Sequence, residues 1–227
     1  MLILGTDTST KAAACALYED GKLICEYTLN INNTHSEKFL PLIEQMLKDT
    51  SHSYEDIDVF ACGLGPGSFT GIRIGVATIK GLCASLGKKA VGISSLEALA
   101  YNAFGFDGMI VPTFFARADE VFCAAYESDM TEAMPPSVMT IEELCNFCED
   151  KKVLFLGDGA DKFEELIKEK SEKFILAGQN LSILRGSGVC SAALKKIQNE
   201  DYTEYAELVP VYLRQSQAER EYNNKNK

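Results

Sequence analysis

A glycine-rich segment constrains the fold of this chain more than any other feature. Residues 63–75 read GLGPGSFTGIRIG. They follow an apolar run at 59–62 that is short enough for a buried strand, and apolar side chains then recur at helical spacing over 72–86. Glycine adopts conformations and close approaches that a Cβ would forbid. The segment therefore predicts a strand, a tight loop and the start of a helix.

Two interpretations of this loop remain open from the residues alone. A helix start binds anions, because its unpaired N–H groups and its dipole point outward, and Gly65, Gly67 and Ser68 would then form a phosphate loop. Alternatively, the glycines let the helix lie close on the sheet, with Ser68 or Thr70 as the helix cap. The spacing is not G-x-x-x-x-G-K-[ST], so a P-loop is excluded.

The N-terminal residues predict an antiparallel meander. Residues 2–8, 12–19 and 22–29 read as strands separated by turn signals. The first turn places the Asp7 carboxylate and the hydroxyls of Thr8, Ser9 and Thr10 at a strand end. A turn in which these side chains bond their own backbone explains the same pattern.

Two amphipathic helices follow, over about 35–48 and 71–86. The first presents an apolar face that includes Phe39, Ile43 and Met46, and Thr34 with Glu37 has the capping-box spacing. His35 can act as a ligand or a base, but we favour capping or a surface contact. The second helix is kept slim by small residues, which allow another helix to approach closely. These are Gly71, Gly75, Ala77, Thr78, Gly81 and Ala84.

The pattern of strands and helices restarts near residues 104–108. We expect strands at 109–115, 120–126 and 153–156 and a proline-containing loop at 131–137. Helices are predicted at 141–148 and 186–198, and a further helix begins near residue 158 with Asp158 as its cap. Two passes of strands followed by helices predict two α/β halves. The predicted domains are residues 1–104 and 105–227; the tail from about residue 205 is able to pack back on the first domain, which leaves the second the smaller of the two.

Composition and charge exclude several classes of function. The net charge is −11, without the basic patch expected of a protein that holds RNA directly. No apolar run approaches the roughly 20 residues of a membrane span, and no signal peptide is visible, so we expect a cytoplasmic protein with no membrane contact. The scattered cysteines read as free buried thiols, and the lone C-x-x-C of Cys145 and Cys148 makes a poor metal or redox site. We predict no metal site.

Several strings together resemble the TsaB (YeaZ) family, bacterial proteins needed to make threonylcarbamoyladenosine in tRNA. They are GPGSFTGIRIG at 65–75, HSEKFLP at 35–41, GDGA at 157–160 and PVYLR at 210–214, and they span nearly the full chain. The resemblance implies the fold of the actin, Hsp70 and sugar-kinase superfamily: two RNase-H-like halves, each a mixed sheet with flanking helices, around a cleft. In that superfamily the first hairpin is a phosphate loop whose Asp works with a metal, a role that would fall to Asp7.

The chain departs from relatives of this family at informative positions. TsaD, the related catalytic subunit, carries a His-x-x-x-His metal pair where this sequence has Ser95 and Leu99. Serine is a poor ligand for a divalent metal and leucine is none. Phe115 stands where family members usually have an Asp, so a carboxylate role at that position is absent here.

The residues leave little with which to catalyse a reaction. Catalysis needs a nucleophile with a base, a carboxylate pair or a metal, and the chain has two histidines and no peptidase motif. What remains is a vestigial phosphate loop: Asp7, Thr8, Ser9, Gly65, Gly67 and Ser68. The alternative to a non-catalytic protein is a stand-alone ATPase or small-molecule kinase of the actin-like superfamily; an M22-type peptidase is less favoured.

The resemblance implies a scaffold that acts through partners. It would pair with TsaD and join the ATPase TsaE in one complex, and it would form a homodimer when alone. It would contact tRNA only indirectly. ATP and metal would bind to the partner subunits, and no cofactor would bind this chain. Arg214 would serve a partner carboxylate, a phosphate or a surface ion pair. The expected partner interface is a helix bundle formed by His35, Phe39, Ile43, Met46, Gly71, Ile74, Gly75, Thr78 and Leu82.

Overall fold

Two five-stranded sheets with the same strand order organise the chain, in a computed structural model that describes residues 1–31 and 35–214. The first sheet contains the first five strands along the chain and the second sheet the next five; within each sheet the strands lie in the order third, second, first, fourth, fifth. In each sheet the first three strands form an antiparallel meander and the last two run parallel to the first. The predicted pair of RNase-H-like halves is confirmed.

The strands lie close to their predicted positions. They are β1 Leu2–Asp7, β2 Ala12–Glu19, β3 Lys22–Asn30, β4 Val59–Gly63, β5 Lys89–Ile93, β6 Met109–Arg117, β7 Glu120–Tyr126, β8 Glu132–Thr140, β9 Val153–Leu156 and β10 Phe174–Leu176. The exceptions are β8, because the loop predicted at 131–137 is part of a strand, and β10, for which no strand was predicted. The prolines of β8 are tolerated because β8 lies at the edge of its sheet, where a strand can lack donors.

Eight α-helices and three short 3₁₀ turns are described. The helices are α1 His35–Asp49, α2 Phe69–Leu86, α3 Ser95–Ala100, α4 Ile141–Phe147, α5 Asp158–Lys162, α6 Glu164–Lys170, α7 Gln179–Ser182 and α8 Gly186–Gln198; the turns are Tyr54–Asp56, Tyr101–Ala103 and Tyr205–Glu207. The predicted capping role of Thr34 and the tail at 215–227 lie outside the described residues.

The hydrophobic core has three parts. Helices α1 and α2 cover one face of the first sheet, with Phe39, Phe60 and Ile79 among the fully enclosed side chains. A second cluster runs from the other face of that sheet through α3 and α8 to the second sheet, so the two lobes share a core. The third lies under α4 and α6 on the outer face of the second sheet.

Helix α8 packs on the first sheet although it follows the second sheet in sequence. The Cys190 thiol donates to the Ala16 carbonyl at 3.6 Å, and Lys196 Nζ donates to the Gly92 carbonyl at 2.9 Å. Helix α8 falls within the domain predicted at 105–227, yet it packs on the sheet of the other lobe. Helical periodicity identifies an apolar stripe, but it does not say which sheet that stripe covers.

The segment after α8 also lies against the first lobe. The amide of Thr203 donates to the Ala90 carbonyl, and the amide of Val211 donates to the Leu64 carbonyl, both at 2.8 Å. The Tyr212 ring stacks on Phe69 at the start of α2, with ring centroids 4.7 Å apart. These contacts place the end of the described chain beside the glycine-rich loop.

Helix α2 is the one helix within the described residues that is long and apolar enough, by length and composition, to cross a membrane. Its stripe of Ile72, Val76, Ile79 and Cys83 is buried against the first lobe's own core. A core helix passes the same test of length and composition, and the buried stripe accounts for the apolar character of α2.

We expect Gly186→Ala to destabilise the protein. A Cβ at Gly186 would lie 2.3 Å from the Cys15 carbonyl carbon and 2.4 Å from the Ala16 nitrogen, and backbone in a central sheet cannot easily yield. The expected loss in the free energy of unfolding is about 1–3 kcal/mol, measured by urea titration. Gly81→Ala is the control: its Cβ meets nothing within 4 Å, so stability should rise by up to about 1 kcal/mol. An unchanged unfolding midpoint for Gly186→Ala would contradict this packing of α8.

Candidate functional site

Asp7, at the end of the central strand β1, is a buried carboxylate with both oxygens engaged. The Ser9 amide donates to Oδ1 at 2.6 Å, and the Ser95 hydroxyl donates to Oδ2 at 2.5 Å. Gly63, the last residue of neighbouring β4, leaves room for this carboxylate, because a Cβ there would lie 1.8 Å from Oδ2. Asp7 is therefore held inside the protein and not presented to a cleft.

The glycine-rich loop and the first turn interlock. The Ser68 amide donates to the Ser9 carbonyl at 2.7 Å. Gly67 permits this contact, because its φ is +153° and a Cβ would lie 2.2 Å from the same carbonyl oxygen. On the other side, the Gly65 amide donates to Ser95 Oγ at 3.1 Å, and the Ser95 amide donates back to the Gly65 carbonyl at 2.8 Å.

The amides suited to a phosphate are used within the chain. The Ser9 amide donates to the Asp7 carboxylate, and the Gly65 amide donates to the Ser95 hydroxyl. The Ser68 amide donates to the Ser9 carbonyl. The Gly71 amide donates to Ser68 Oγ at 3.2 Å, which is the helix cap predicted from the sequence. A phosphate at this helix start would have to displace these internal hydrogen bonds.

Burial dominates the electrostatics of the site. It raises the pKa of Asp7 above the usual range, while the hydrogen bonds from Ser95 and Ser9 and the nearby His35 act in the opposite direction. His35 itself is half-buried, and its Nε2 lies 2.8 Å from the Thr10 carbonyl oxygen. It thus ties the start of α1 to the first turn.

Part of the predicted partner surface lies inside the protein. Phe39, Ile43 and Met46 are at most 1% exposed and pack in the first lobe's core, so their assignment to a partner interface is wrong. An amphipathic pattern marks an apolar face but does not say whether that face meets the chain's own sheet or another molecule.

The two glycines of that predicted surface also serve internal packing. A Cβ on Gly71 would lie 2.1 Å from the Thr8 carbonyl oxygen, and one on Gly75 would lie 2.4 Å from Thr8 Oγ1. Thr8 Oγ1 donates to the Gly71 carbonyl at 2.7 Å, which joins the turn to α2. Both glycines face inward, so their assignment to the partner interface is also wrong.

The outward face of α2 retains the other predicted residues. Ile74, Thr78 and Leu82 are partly exposed, one turn apart along the helix. Between them Ala77 and Gly81 are exposed. These five residues, which we call the α2 outer face, form a shallow strip with small side chains at its centre.

Comparison with known proteins identifies the family. Residues 23–222 match the family model described as TsaD, tRNA N6-adenosine threonylcarbamoyltransferase. The chain is 35% identical over 174 residues to the tRNA threonylcarbamoyladenosine biosynthesis protein TsaB of Bacillus subtilis, an alignment that covers 74% of this chain and 76% of that protein. This chain belongs to the TsaB (YeaZ) family.

Other TsaB relatives match over greater lengths. The TsaB protein of Haemophilus influenzae is 26% identical over 227 residues, covering 94% of each chain. The solved structure of YeaZ from Pseudomonas aeruginosa superposes with a TM-score of 0.83 at 25% identity, covering 93% of this chain and 99% of that one. The likeness to TsaB and YeaZ proteins therefore extends over both lobes.

The side chains at the expected metal position of this TsaB chain do not fit a metal. Ser95 uses its hydroxyl to bond Asp7, and Leu99 is fully buried in the core shared by the lobes. Within residues 1–31 and 35–214, no group of three or more His, Cys, Asp or Glu side chains could hold a metal ion. A divalent metal at Asp7 would have to replace two internal hydrogen bonds with few other ligands.

Two further sequence-predicted positions have structural roles. Asp158 does not cap α5; its Oδ1 accepts from the Phe115 amide at 3.0 Å, and it thereby ties α5 to β6. Cys145 and Cys148 are buried, which raises the pKa of their thiols to about 11 and about 12. Such thiols stay protonated and unreactive near neutral pH.

Sequence reasoning missed an aromatic and cationic contact at the helix start. Arg73 Nε donates to the Tyr212 hydroxyl at 2.7 Å, and its guanidinium lies 5.6 Å from the centre of that ring. The PVYLR string contained Tyr212, but nothing in its spacing indicated which helix the ring would reach. The contact fixes the C-terminal segment beside the α2 outer face.

We expect Ser95→Ala to lower stability by about 1–3 kcal/mol, because it leaves a buried carboxylate oxygen and the Gly65 amide without their partner. Ser85→Ala is the matched control: this exposed hydroxyl bonds only the Leu82 carbonyl, and the change should stay within about 0.5 kcal/mol. Urea unfolding measures both variants. Equal losses would argue against a special role for the Ser95 bond.

The raised pKa of Asp7 predicts a pH-dependent contribution to stability. The folded state holds the Asp7 proton more tightly than the unfolded state, whose pKa is about 3.9. Asp7's contribution is therefore fully present below that value and is lost as pH rises through the folded pKa. Relative to Asp7→Asn, the unaltered protein should gain stability as pH falls from neutral, measured by urea unfolding at a series of pH values.

Asp129→Asn provides a control of opposite sign. The Thr131 amide donates to Asp129 at 2.8 Å and lowers its pKa, so its contribution is lost as pH falls through the folded value. A pH-independent difference between the unaltered protein and Asp7→Asn would contradict the assignment for Asp7.

Proposed function

We propose that this chain is a non-catalytic subunit in tRNA threonylcarbamoyladenosine biosynthesis. It pairs with a TsaD-like catalytic subunit and supports transfer of threonylcarbamoyl to the adenosine beside the tRNA anticodon. The observation that carries the proposal is the closed state of Asp7, whose two oxygens accept from Ser9 and Ser95. A carboxylate held in this way is not available to bind a metal or a phosphate-bound cation.

The glycine loop supports the same conclusion. Four backbone amides in and beside the loop donate hydrogen bonds within the protein: those of Ser9, Gly65, Ser68 and Gly71. The phosphates of ATP would therefore find few free donors there. This favours a scaffold over a stand-alone ATPase or small-molecule kinase. ATP and metal then reside on the partner subunits, and no cofactor belongs to this chain.

The net charge of −11 argues that tRNA is reached through a partner. We place the complex in the cytoplasm. A TsaE-like ATPase joins the same complex, and the isolated chain forms a homodimer.

The α2 outer face is the surface we propose for the partner. Its centre has small residues, and a Cβ on Gly81 would meet nothing within 4 Å, so a helix of another chain can approach closely. Ile74 and Leu82 flank this centre and pack at their inner sides on the core. Their position is therefore fixed before a partner arrives, which lowers the entropic cost of binding.

We expect Gly81→Leu to weaken association with the TsaD-like subunit at least about tenfold, or about 1.4 kcal/mol, without unfolding the protein. The added side chain points away from the rest of the chain and occupies the space that a partner helix would use. Titration calorimetry and light scattering measure association, and circular dichroism checks the fold. Gly75→Leu is unsuitable, because its Cβ would collide with Thr8.

Asn146→Leu serves as the matched control, since it adds a leucine at an exposed position on α4 in the second lobe. Association should be unchanged in this variant. Full-strength association of Gly81→Leu would remove the α2 outer face from the interface. Phosphate release from ATP by the purified chain alone, abolished by Asp7→Asn, would instead support the kinase or ATPase alternative.

A further inference from the structure

A cavity of about 170 Å³ opens between the two lobes. Its walls come from the turn after β1 and the end of β3 on one side, and from β6, α5 and the α7 region on the other. Asp7, Ser9 and Ser95 do not line it. The cavity is therefore separate from the closed Asp7 site, and its chemistry has to be judged from its own residues.

One wall carries two carboxylates on α5. Asp158 accepts from the Phe115 amide through Oδ1, and Asp161 Oδ2 accepts from Gln179 Nε2 at a long 3.4 Å. Both residues are exposed, but desolvation of their carboxylates by the surrounding protein raises the pKa of each, and the charge of Asp158 further raises the pKa of Asp161. A positively charged group placed between them would relieve that repulsion.

The opposite wall carries a lysine without a direct partner. Lys11, in the turn between β1 and β2, makes no hydrogen bond or ion pair with any residue that the structure describes. It is close enough to Asp158 to lower the pKa of that carboxylate against the effect of burial. An ammonium and two carboxylates thus face the same small space from different lobes.

A buried hydroxyl also lacks a partner at this cavity. Ser182 Oγ is shielded from solvent and has no hydrogen-bond partner among the described residues. The oxygen itself is not open to the cavity, so a ligand can bond it only after the Ser182 side chain rotates, which would satisfy a group whose unmet hydrogen bond costs free energy. Phe114 and Leu184 add an apolar floor beside these polar groups.

We propose that this inter-lobe cavity binds a small zwitterion of the α-amino acid class. Its ammonium lies at Asp158 and Asp161, its carboxylate faces Lys11, and the Ser182 hydroxyl supplies a further hydrogen bond once its side chain has rotated toward the cavity. The two acids and one lysine carry a net charge of about −1, which disfavours a polyphosphate. A divalent metal is disfavoured because it needs about six oxygen ligands and would be repelled by Lys11. The proposal does not depend on pairing with a TsaD-like subunit.

The test uses the full chain and the common L-α-amino acids, one at a time, beginning with L-serine. Saturation-transfer NMR screens for contact, and titration calorimetry measures affinity. We expect at least one amino acid to bind saturably with a Kd of about 1 mM or tighter. Ethylamine and propionate, which each carry one of the two charges, should bind at least about tenfold more weakly.

Variants locate the site. Asp158→Asn combined with Asp161→Asn should weaken binding at least about tenfold, and so should Lys11→Met. Asparagine at 158 keeps the oxygen that accepts from Phe115, so the fold should survive, and circular dichroism checks this. Asp119→Asn is the control, because this exposed acid does not line the cavity and its loss should leave affinity unchanged.

Several results would overturn the proposal. They are no saturable binding of any amino acid, equal binding of ethylamine or propionate, unchanged affinity in either the double variant or Lys11→Met, and binding of ATP or Mg²⁺ in place of amino acids.

Discussion

The hydrogen bond from Ser95 to Asp7 is the constraint on which the packing around the end of β1 depends. A carboxylate buried at the end of a central strand is costly unless donors surround it, and the chain supplies the Ser95 hydroxyl and the Ser9 amide. Ser95 also accepts from the Gly65 amide. One serine at the start of α3 therefore holds both β1 and the glycine-rich loop, and it closes the space between them.

This closure determines what α2 can do. Thr8 bonds the Gly71 carbonyl, and Gly71 and Gly75 allow the helix to lie directly on the turn. The inner side of α2 therefore packs against the chain itself, and the Tyr212 ring stacks on Phe69 at the start of this helix. The outer face is left with small and apolar residues that are already fixed in position, which suits recognition of another protein better than chemistry.

The sequence predicted local structure well and packing partners poorly. The bounds of β2 and α8 and the Ser68 cap follow from turn signals, helical spacing and capping preferences, all of which act within a few residues. Phe39, Ile43 and Met46 were misassigned because an apolar stripe does not reveal its neighbour. The Ser95 bond joins positions 88 residues apart, so no local pattern could show it.

The two lobes share a strand order but carry different residues at matching positions of their central strands. The pairing of β1 with β4 and of β6 with β9 makes Thr113 the counterpart of Asp7, and Gly157 the counterpart of Gly63. A Cβ on Gly63 would meet the Asp7 carboxylate, whereas a Cβ on Gly157 would meet the backbone carbonyl oxygen of Thr113. Yet the Thr113 hydroxyl is neutral and donates to the Leu156 carbonyl at 3.1 Å. The matching strand ends of the two lobes therefore present one carboxylate with both oxygens engaged and one satisfied neutral hydroxyl, and they do not form a pair of acids.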